Sequence, residues 1–393
     1  MRWASSLSLT LDPDRAIEEG VQAIRDGLDG NPPDLIFLFP SGDHVGNAAG
    51  LAAGVRKAFP DAVLLGCTGA GVIGGGHEAE GTTAVAMTGG TLPDVRIHPF
   101  RLAPDSVPGQ DVSPSVWRSV VGIDDPAGGW SFILLADPFT SRADELVQGL
   151  DYAYPGCVKI GGLASAAPAP GGNVLFLGDD THSDGTVGVA LSGDVRVDTV
   201  VAQGARPVGP DFDVTKCQRN VLFELDNRPA LEVFQEVYED ASEDLPEDPP
   251  PAFFLGIRAD DLDAEAGDFV IRNLLGIDPG AGAIAVGTVL RNGQSVRFHA
   301  LSPETADADL REQLGGYDAH AAARGALLFS CNGRGKSLFG DPDHESTVFS
   351  DAFGGRVSLG GLFCAGEIGP IGATTHIHGF TSSFGILRPA TGW

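Results

Sequence analysis

The chain has 393 residues, 42% of them hydrophobic, and a formal net charge of −28 at pH 7. This length and composition predict a globular protein of two domains, or of one large duplicated domain, with a sizeable core. The strong negative charge disfavours nucleic acid and anionic membranes as partners, because both are polyanions.

The cysteines and the N-terminal segment bear on location. The chain has five cysteines without CxxC spacing, which favours reduced thiols over a disulfide framework. Asp12, Asp14 and the pair Glu18 and Glu19 come too early for a signal peptide. No apolar run reaches membrane-spanning length. We therefore expect a cytoplasmic protein without a membrane partner.

The first part of the chain alternates strands with helices. Asp12 followed by Pro13 predicts a helix start, and apolar spacing continues this helix to about Leu28. In chain order the sequence then predicts a buried strand at 34–39 and a small-residue helix that runs to residue 59. A strand at 62–65 enters a first glycine turn at 65–71, and an antiparallel meander of 82–87 with 95–100 follows.

The same order then restarts. Ser113 and Pro114 predict the start of a helix through Val121. The segment from Ser141 to Asp144 resembles a capping box, which predicts the start of another helix. This part also has a buried strand at 132–135, and the helix after Ser141 covers 141–154. A second glycine turn follows at 160–165, and three strands follow it at 174–177, 186–191 and 195–201.

The order recurs twice more in the second half. A strand and a helix over 221–238 lead to an acidic, proline-rich segment from Glu239 to Pro251, which predicts an exposed loop. Ser302 and Pro303 predict another helix start. Two strands are predicted at 253–256 and 270–276, and the helix that begins at Ser302 covers 302–314. They are followed by a buried strand at 326–330, a helix at 346–353 and the final glycine turn at 358–370.

This series of elements is an internal repeat, and a repeat constrains the architecture. The best alignment matches residues 83–98 with residues 284–299 across the two halves. We therefore predict an α/β fold with a duplicated two-half architecture of repeated β-α-β-α-β units, containing mixed sheets and antiparallel meanders. The predicted domains are residues 1–205 and 206–393.

Polar residues follow the buried strands, where ligands of α/β folds bind. Cys331, Asn332 and Arg334 follow one strand, and Glu367 lies in the final glycine turn. Glycine turns expose N–H groups that hold anions, and the guanidinium of Arg334 suits a carboxylate. Since Glu367 suits an ammonium, the pattern predicts a small zwitterion such as an amino acid. The alternative is that the glycines serve only tight turns and that Arg334 pairs with a surface carboxylate.

Other interpretations stay open at this point. Cys331 or Cys364 with His376 or His378 is a candidate Cys–His nucleophile of an enzyme. Cys364 and Glu367 with the two histidines also suit a metal, whereas cysteines in apolar strands are usually small core residues. The acidic loop is the candidate contact of an interaction scaffold that binds a basic partner. No phosphate-loop or dinucleotide-binding motif is present, so no nucleotide cofactor is predicted.

Two segments of the second half resemble the C-terminal FIST domain. They are Leu328–Arg334, which ends in Cys-Asn-Gly-Arg, and Gly361–Pro370, which ends in Gly-Glu-Ile-Gly-Pro. Leu65–Gly71 and Gly161–Ser165 look like the N-terminal FIST domain. The resemblance covers nearly the whole chain.

The resemblance implies a sensory protein of signal transduction that binds a small molecule and has no catalytic activity. No kinase, cyclase or methyl-acceptor segment is attached, so the protein is expected to signal to a separate partner or to lack an output. One departure is that His378 is followed by Gly379, where the family tends to have asparagine. We predict no cofactor, metal or catalytic residue. The predicted ligand-binding residues are Cys331, Asn332, Gly333, Arg334, Gly366, Glu367, Cys67, Thr68, Gly69 and His378.

Overall fold

The computed structural model describes residues 1–109, 111–242, 251–259 and 269–391. Internal contacts divide the chain into two compact units. These units are groups of contacts in space, so the predicted division into sequence domains after residue 205 stays a prediction. Unit 1 comprises Met1–Val201, Arg311–Pro370 and Thr374–Trp393, and unit 2 comprises Ala202–Leu310 and Ile371–Ala373.

In the described residues the α-helices are α1 (Pro13–Gly27), α2 (Ala48–Ala58), α3 (Pro114–Val121), α4 (Ala143–Ala153), α5 (Ala230–Ser242), α6 (Pro303–Gly315), α7 (Gly335–Phe339) and α8 (His344–Phe353). The predicted start of α1 is confirmed, because the Asp12 side chain accepts hydrogen bonds from the N–H groups of Asp14 and Arg15. Proline also opens α3 and α6, as predicted. None of these helices is both long and apolar enough to span a membrane.

The described strands follow in chain order. They are β1 (Arg2–Ser8), β2 (Leu35–Pro40), β3 (Val63–Cys67), β4 (Gly71–Gly74), β5 (His77–Glu80), β6 (Val85–Thr91), β7 (Val95–Leu102), β8 (Ser131–Ala136), β9 (Val158–Leu163), β10 (Leu175–Leu177), β11 (Asp180–His182), β12 (Thr186–Gly193), β13 (Arg196–Ala202), β14 (Arg206–Gln218), β15 (Val221–Leu225), β16 (Arg228–Pro229), β17 (Ala252–Arg258), β18 (Phe269–Asp278), β19 (Ala283–Val286), β20 (Ser295–Leu301), β21 (Gly325–Cys331), β22 (Ser358–Cys364), β23 (Glu367–Ile371), β24 (Thr374–His378) and β25 (Ser382–Arg388).

Three six-stranded sheets built mainly from unit 1 share one arrangement. Their strand orders are β1-β6-β2-β3-β10-β11, β7-β12-β8-β9-β23-β24 and β13-β25-β21-β22-β4-β5. In each sheet the third and fourth strands are parallel, and the second strand is antiparallel to the third. The last two strands of each sheet follow, in sequence, the parallel pair of another sheet. The sheets are therefore mixed, and the repeat predicted from the sequence is visible in them.

The chain crosses from one sheet to the next after β3, β9 and β22, and the three crossings meet within unit 1. The N–H of Ser165 donates to the carbonyl oxygen of Thr68 (3.2 Å), and its hydroxyl donates to the carbonyl oxygen of Phe363. The N–H of Ala365 donates to the carbonyl oxygen of Leu163 (3.0 Å). The glycine turns predicted from the sequence are these crossings.

One glycine in each parallel pair lies against the neighbouring strand. Gly66, Gly161 and Gly361 each face a leucine of the paired strand. A Cβ atom at these positions would lie 2.0, 1.8 and 1.9 Å, respectively, from the carbonyl oxygen of that leucine. The close approach of the two strands therefore requires glycine at these positions without any ligand.

The three sheets share one core and carry helices on their outer faces. Phe37 of β2, Leu135 of β8 and Phe329 of β21 belong to a single cluster of buried side chains. Ile24 of α1 packs with α2 on the first sheet, and Trp117 of α3 packs with α4 on the second. Burial of one face against the core and the other against helices explains why these central strands are apolar throughout. The predicted α/β class is confirmed.

Three local predictions need correction. The meander expected from 82–87 and 95–100 is wrong, because β6 pairs with β1 and β2 whereas β7 pairs with β12 in another sheet. The capping box at Ser141 is also wrong, since Arg142 precedes α4 and makes no capping hydrogen bond with its side chain. Helix α5 includes the first part of the expected acidic loop, and residues 243–250 lie outside the described residues.

Unit 2 is organised around a different sheet. Its seven strands have the order β14-β20-β17-β18-β19-β15-β16, and β17 and β18 are antiparallel. Helix α5 packs on this sheet through Val233 and Val237, which share a core cluster with Leu255 and Phe298. The third copy of the repeat thus has the predicted helix and strands, but its central pair is antiparallel.

Candidate functional site

The C-terminal candidates gather where β21 and β22 end. Cys331 is the last residue of β21, Arg334 directly precedes α7, and Glu367 is the first residue of β23. The N–H of Asn332 donates to the carbonyl oxygen of Cys364 (3.0 Å), which extends the parallel pairing by one bond. The fold thus places the two sequence motifs side by side.

Arg334 is held by a buried ion pair with Glu345 of α8. Both side chains are fully buried, and Nε of Arg334 lies 2.8 Å from Oε1 of Glu345. The hydroxyl groups of Ser330 and Ser382 donate to the same carboxylate. Loss of either charged partner would leave an uncompensated charge in the interior, so this cluster fixes the position of Arg334.

The rest of the Arg334 guanidinium is also largely occupied. Its Nη1 donates to the carbonyl oxygen of Phe380 (3.1 Å), and its central carbon lies 5.4 Å from the ring centre of Phe339. The nitrogen Nη2 has no hydrogen-bond partner among the described residues. The expected alternative of a surface carboxylate is therefore corrected to a buried one, and one nitrogen is left for a further acceptor.

Glu367 is a fully buried carboxyl group with one unused oxygen. Its Oε2 accepts a hydrogen bond from the N–H of Thr381 (3.2 Å), whereas Oε1 has no hydrogen-bond partner in the described part of the chain. Burial raises the pKa of Glu367 well above its ordinary value of 4.5. The protonated form is thereby favoured, because no cation compensates the charge well enough.

The cysteines at this place are poor nucleophiles. Burial, with a smaller contribution from Glu367, raises the pKa of Cys331 to about 12, and burial also raises the pKa of Cys364 well above 9.0. The thiolate is the reactive form. His378 donates from Nε2 to the carbonyl oxygen of Gly369 (3.0 Å). In the described ranges, no three His, Cys, Asp or Glu side chains are arranged to hold a metal.

Two family descriptions match the chain. The FIST N domain matches residues 34–228, and the FIST C domain matches residues 230–370. The chain belongs to the FIST family. The resemblance found in the sequence is therefore confirmed, and FIST domains are sensory domains in signal transduction.

Relatives of this FIST protein extend over its whole length. An uncharacterized protein of Mycobacterium tuberculosis (strain H37Rv) is 35% identical over 396 residues, covering 98% of this chain and 100% of that protein. An uncharacterized protein of Mycobacterium bovis is 33% identical over 392 residues, covering 98% and 99%. A cyanuric acid hydrolase from A. caulinodans covers 99% of this chain and 100% of its own, but with 10% identity and a TM-score of 0.32. That likeness is too slight to support an inference about activity.

The N-terminal candidates of the FIST protein have partners within the fold. Cys67 ends β3, and Thr68 and Gly69 form the crossing that follows. The hydroxyl of Thr68 accepts from the N–H of Val174 (3.0 Å), and the N–H of Gly69 donates to the carbonyl oxygen of Pro40 (3.0 Å). These bonds explain Thr68 and Gly69 structurally, and Cys67 is a buried member of the core cluster. The role of the three residues as ligand contacts stays a prediction.

The remaining candidates also serve packing. A Cβ atom at Gly333 would lie 2.5 Å from the ring of Phe380, and one at Gly366 would lie 3.0 Å from the side chain of Leu163. His378 is buried beside β23 through its bond to Gly369. Ligand contact by these residues is untested by the geometry and stays a prediction as well.

Sequence reasoning missed the acidic partner of Arg334 and two acidic residues of β5. Glu345 lies in the first turn of α8, where an acidic residue is ordinary, so nothing in one sequence separates it from surface acids. Glu78 and Glu80 lie on β5, and their spacing of two residues places both on one face of that strand. That alternation was the available signal, but the strand itself was not predicted.

Proposed function

We propose that this FIST protein is a cytoplasmic sensor that binds a small molecule through Glu367 and Arg334. The observation that carries the proposal is the fully buried carboxyl group of Glu367, with one oxygen lacking a hydrogen-bond partner among the described residues. A ligand ammonium at Oε1 would supply both the missing donor and the missing positive charge.

Arg334 supports the second half of the ligand. Its Nη2 lacks a partner among the described residues, while its other contacts hold the guanidinium in place. A ligand carboxylate would accept from this nitrogen. An ammonium and a carboxylate on one molecule describe an amino acid, and a small carboxylate would use the Arg334 contact alone. Since both protein side chains are fully buried, binding would require the protein around them to open locally.

Signal output would pass to a separate protein. The FIST N and FIST C domains match residues 34–228 and 230–370, and FIST domains are sensory domains in signal transduction. The ligand would act by changing the protein surface around this site, where a signalling partner could distinguish the bound state from the free state.

A thermal-shift screen over amino acids and small carboxylates tests the proposal. A ligand that binds only the native state raises its stability by RT ln(1 + [L]/Kd), which is about 2.7 kcal/mol at 100 times Kd. We expect at least one amino acid to raise the melting temperature, and we expect Arg334→Ala and Glu367→Ala to abolish that increase.

Glu367→Gln is the sharper variant, because glutamine has the shape of the protonated carboxyl group but cannot compensate an ammonium. We expect it to melt at or above the wild-type temperature without ligand and to lose the ligand-induced increase. An increase that survives in both Glu367→Gln and Arg334→Ala would place the ligand elsewhere and refute the site.

A further inference from the structure

A cavity of about 440 Å³ lies in unit 1 beside the β4–β5 hairpin. This volume is within the range of small-molecule sites. Leu7 and Leu9 give the cavity an apolar side, and Leu9 is 61% exposed at its edge. Glu78, Glu80 and Asp343 give it an acidic side. Lys336 and His77 also line it, and His77 pairs with Asp343 (2.9 Å). The cavity therefore combines a hydrophobic wall with an excess of negative charge.

Glu78 is the buried polar group of this cavity. Its side chain is 8% exposed, and its Oε1 accepts from the N–H of Ser346 (2.7 Å) at the start of α8. Its Oε2 has no hydrogen-bond partner in the described residues. Buried polar atoms in native proteins nearly always have a partner, so this oxygen calls for a donor.

Glu80 lies two residues further along β5 and lines the same cavity. Its Oε1 accepts from the backbone N–H of Lys336 (2.8 Å). Burial raises the pKa of Glu80, and burial together with Glu345 raises the pKa of Glu78 to about 8. Arg334, the nearby fully buried cation, is already paired with Glu345. Neither carboxyl group forms an ion pair among the described residues, and the positive charge of Lys336 offsets only part of the effect of burial on Glu80.

We propose that this cavity binds a small organic cation, a primary ammonium on a short apolar body, with the ammonium donating to Glu78 Oε2 and to Glu80. An ammonium has three donors and can satisfy both carboxylates at once. The leucine side would take the apolar body. An anion is disfavoured by the carboxylates, and a divalent metal needs more oxygen ligands than these two side chains supply. The site is separate from the ligand contacts proposed at Glu367, and neither proposal rests on the other.

Isothermal titration calorimetry of the full chain with n-butylamine tests this site, with butyrate and 4-aminobutyrate as matched probes. We expect n-butylamine to bind and butyrate to give no heat of binding. Glu78→Gln should weaken n-butylamine binding about tenfold or more, since it removes the negative charge that strengthens the hydrogen bond to the ammonium. Glu232→Gln on the exposed surface of α5 should leave n-butylamine binding unchanged.

Proton release adds a readout that a purely structural role would not move. At pH 7 most Glu78 side chains carry a proton, because the pKa is about 8. Binding of an ammonium should displace that proton, so the observed heat should depend on the ionisation enthalpy of the buffer and should lose this dependence in Glu78→Gln.

Three results would overturn the proposal. The first is an absence of n-butylamine binding at millimolar concentration. The second is equal affinity for n-butylamine in wild type and in a folded Glu78→Gln variant. The third is an affinity for 4-aminobutyrate equal to that for n-butylamine, which would make the ligand a zwitterion.

Discussion

The crossings after β3 and after β22 follow the same route in two sheets, yet their chemistry differs. At the first crossing Thr68 is fully buried, and its N–H, carbonyl and hydroxyl groups all have hydrogen-bond partners. At the second, Glu367 is equally buried, but one carboxyl oxygen has no partner among the described residues. Thr68 at the first crossing thus has a complete set of hydrogen bonds, whereas Glu367 at the second has an incomplete set.

The difference separates what the fold needs from what a ligand would need. A buried polar group without a partner costs about 1–3 kcal/mol. Since the first crossing is built without such a group, the chain route itself does not require one at Glu367. This comparison supports the proposal that the second crossing carries the ligand chemistry, while Thr68 serves the fold.

The largest expected effect comes from the ion pair beside the second crossing. Arg334→Ala would leave Glu345 as a buried charge without its partner, which should lower the free energy of unfolding by about 3–5 kcal/mol. Urea denaturation monitored by circular dichroism measures this loss.

A double variant provides the control for the ion pair. Arg334→Met with Glu345→Leu removes both charges and should cost much less than the sum of the two single variants. If the free energy of unfolding of Arg334→Ala stays within about 1 kcal/mol of the wild-type value, the ion pair does not stabilise the second crossing. The second crossing would then not differ from the first, at Thr68, in depending on a buried ion pair.

Much of the fold could be predicted from the sequence because its signals are local. Proline at a helix start and apolar runs at central strands follow from hydrogen bonding and burial within a few residues, and α1, α3 and β21 are where these signals place them. The exchange of strand pairs between sheets could not be predicted, since no local rule states which sheet β4 or β10 joins. For the same reason β6 and β7 were wrongly paired.

Only some of the buried charged residues could be predicted from the sequence. Arg334 and Glu367 stand out in the sequence beside glycines at strand ends. Glu345 and Glu78 do not, because their burial depends on contacts across 11 and 268 residues of sequence, to Arg334 and Ser346 respectively. Tertiary packing selects these two acids from the 53 acidic residues of the chain.

The equivalence of the sheets is tested by glycine substitutions. In both Gly66→Ala and Gly361→Ala, the new Cβ atom would meet the carbonyl oxygen of the facing leucine, at 2.0 and 1.9 Å. We expect each variant to lose about 3 kcal/mol of unfolding free energy, because neither backbone can give way cheaply. The control is Gly50→Ala in α2, where a Cβ atom would meet nothing within 4 Å. If only one of the two strand variants is destabilised, the two crossings do not rest on equivalent strand pairs.

The next effect is the pH dependence of stability, to which we expect Glu367 at the second crossing to contribute and Thr68 at the first not to contribute. Glu367 has a raised pKa in the folded protein, so its contribution to stability is fully present below the unfolded pKa near 4.5 and is lost as pH rises. Each such group can contribute a slope of up to about 1.4 kcal/mol per pH unit. The contribution of Glu78 to stability should likewise be lost as the pH rises from 4.5 to about 8.

Urea denaturation at several pH values between 5 and 8 measures this slope. We expect Glu367→Gln and Glu78→Gln each to flatten the pH dependence and to be more stable than wild type at the upper end, because glutamine stays neutral. If Glu367→Gln has the same pH dependence of stability as wild type, the charge of Glu367 is compensated in the folded protein. Glu367 would then not differ from Thr68 in having an unsatisfied group.

The smallest effect is expected at the first crossing. Thr68→Val removes the hydroxyl that accepts from the N–H of Val174, and it should lower the free energy of unfolding by about 1 kcal/mol. Thr68→Ser keeps the hydroxyl and should recover most of that loss. Neither variant should change the pH slope or the ligand-induced thermal shift, because Thr68 carries no charge and its bonds are internal to the fold. A lost thermal shift in Thr68→Val with the fold intact would bring the first crossing into the ligand site, and the division of roles between the two crossings would have to be abandoned.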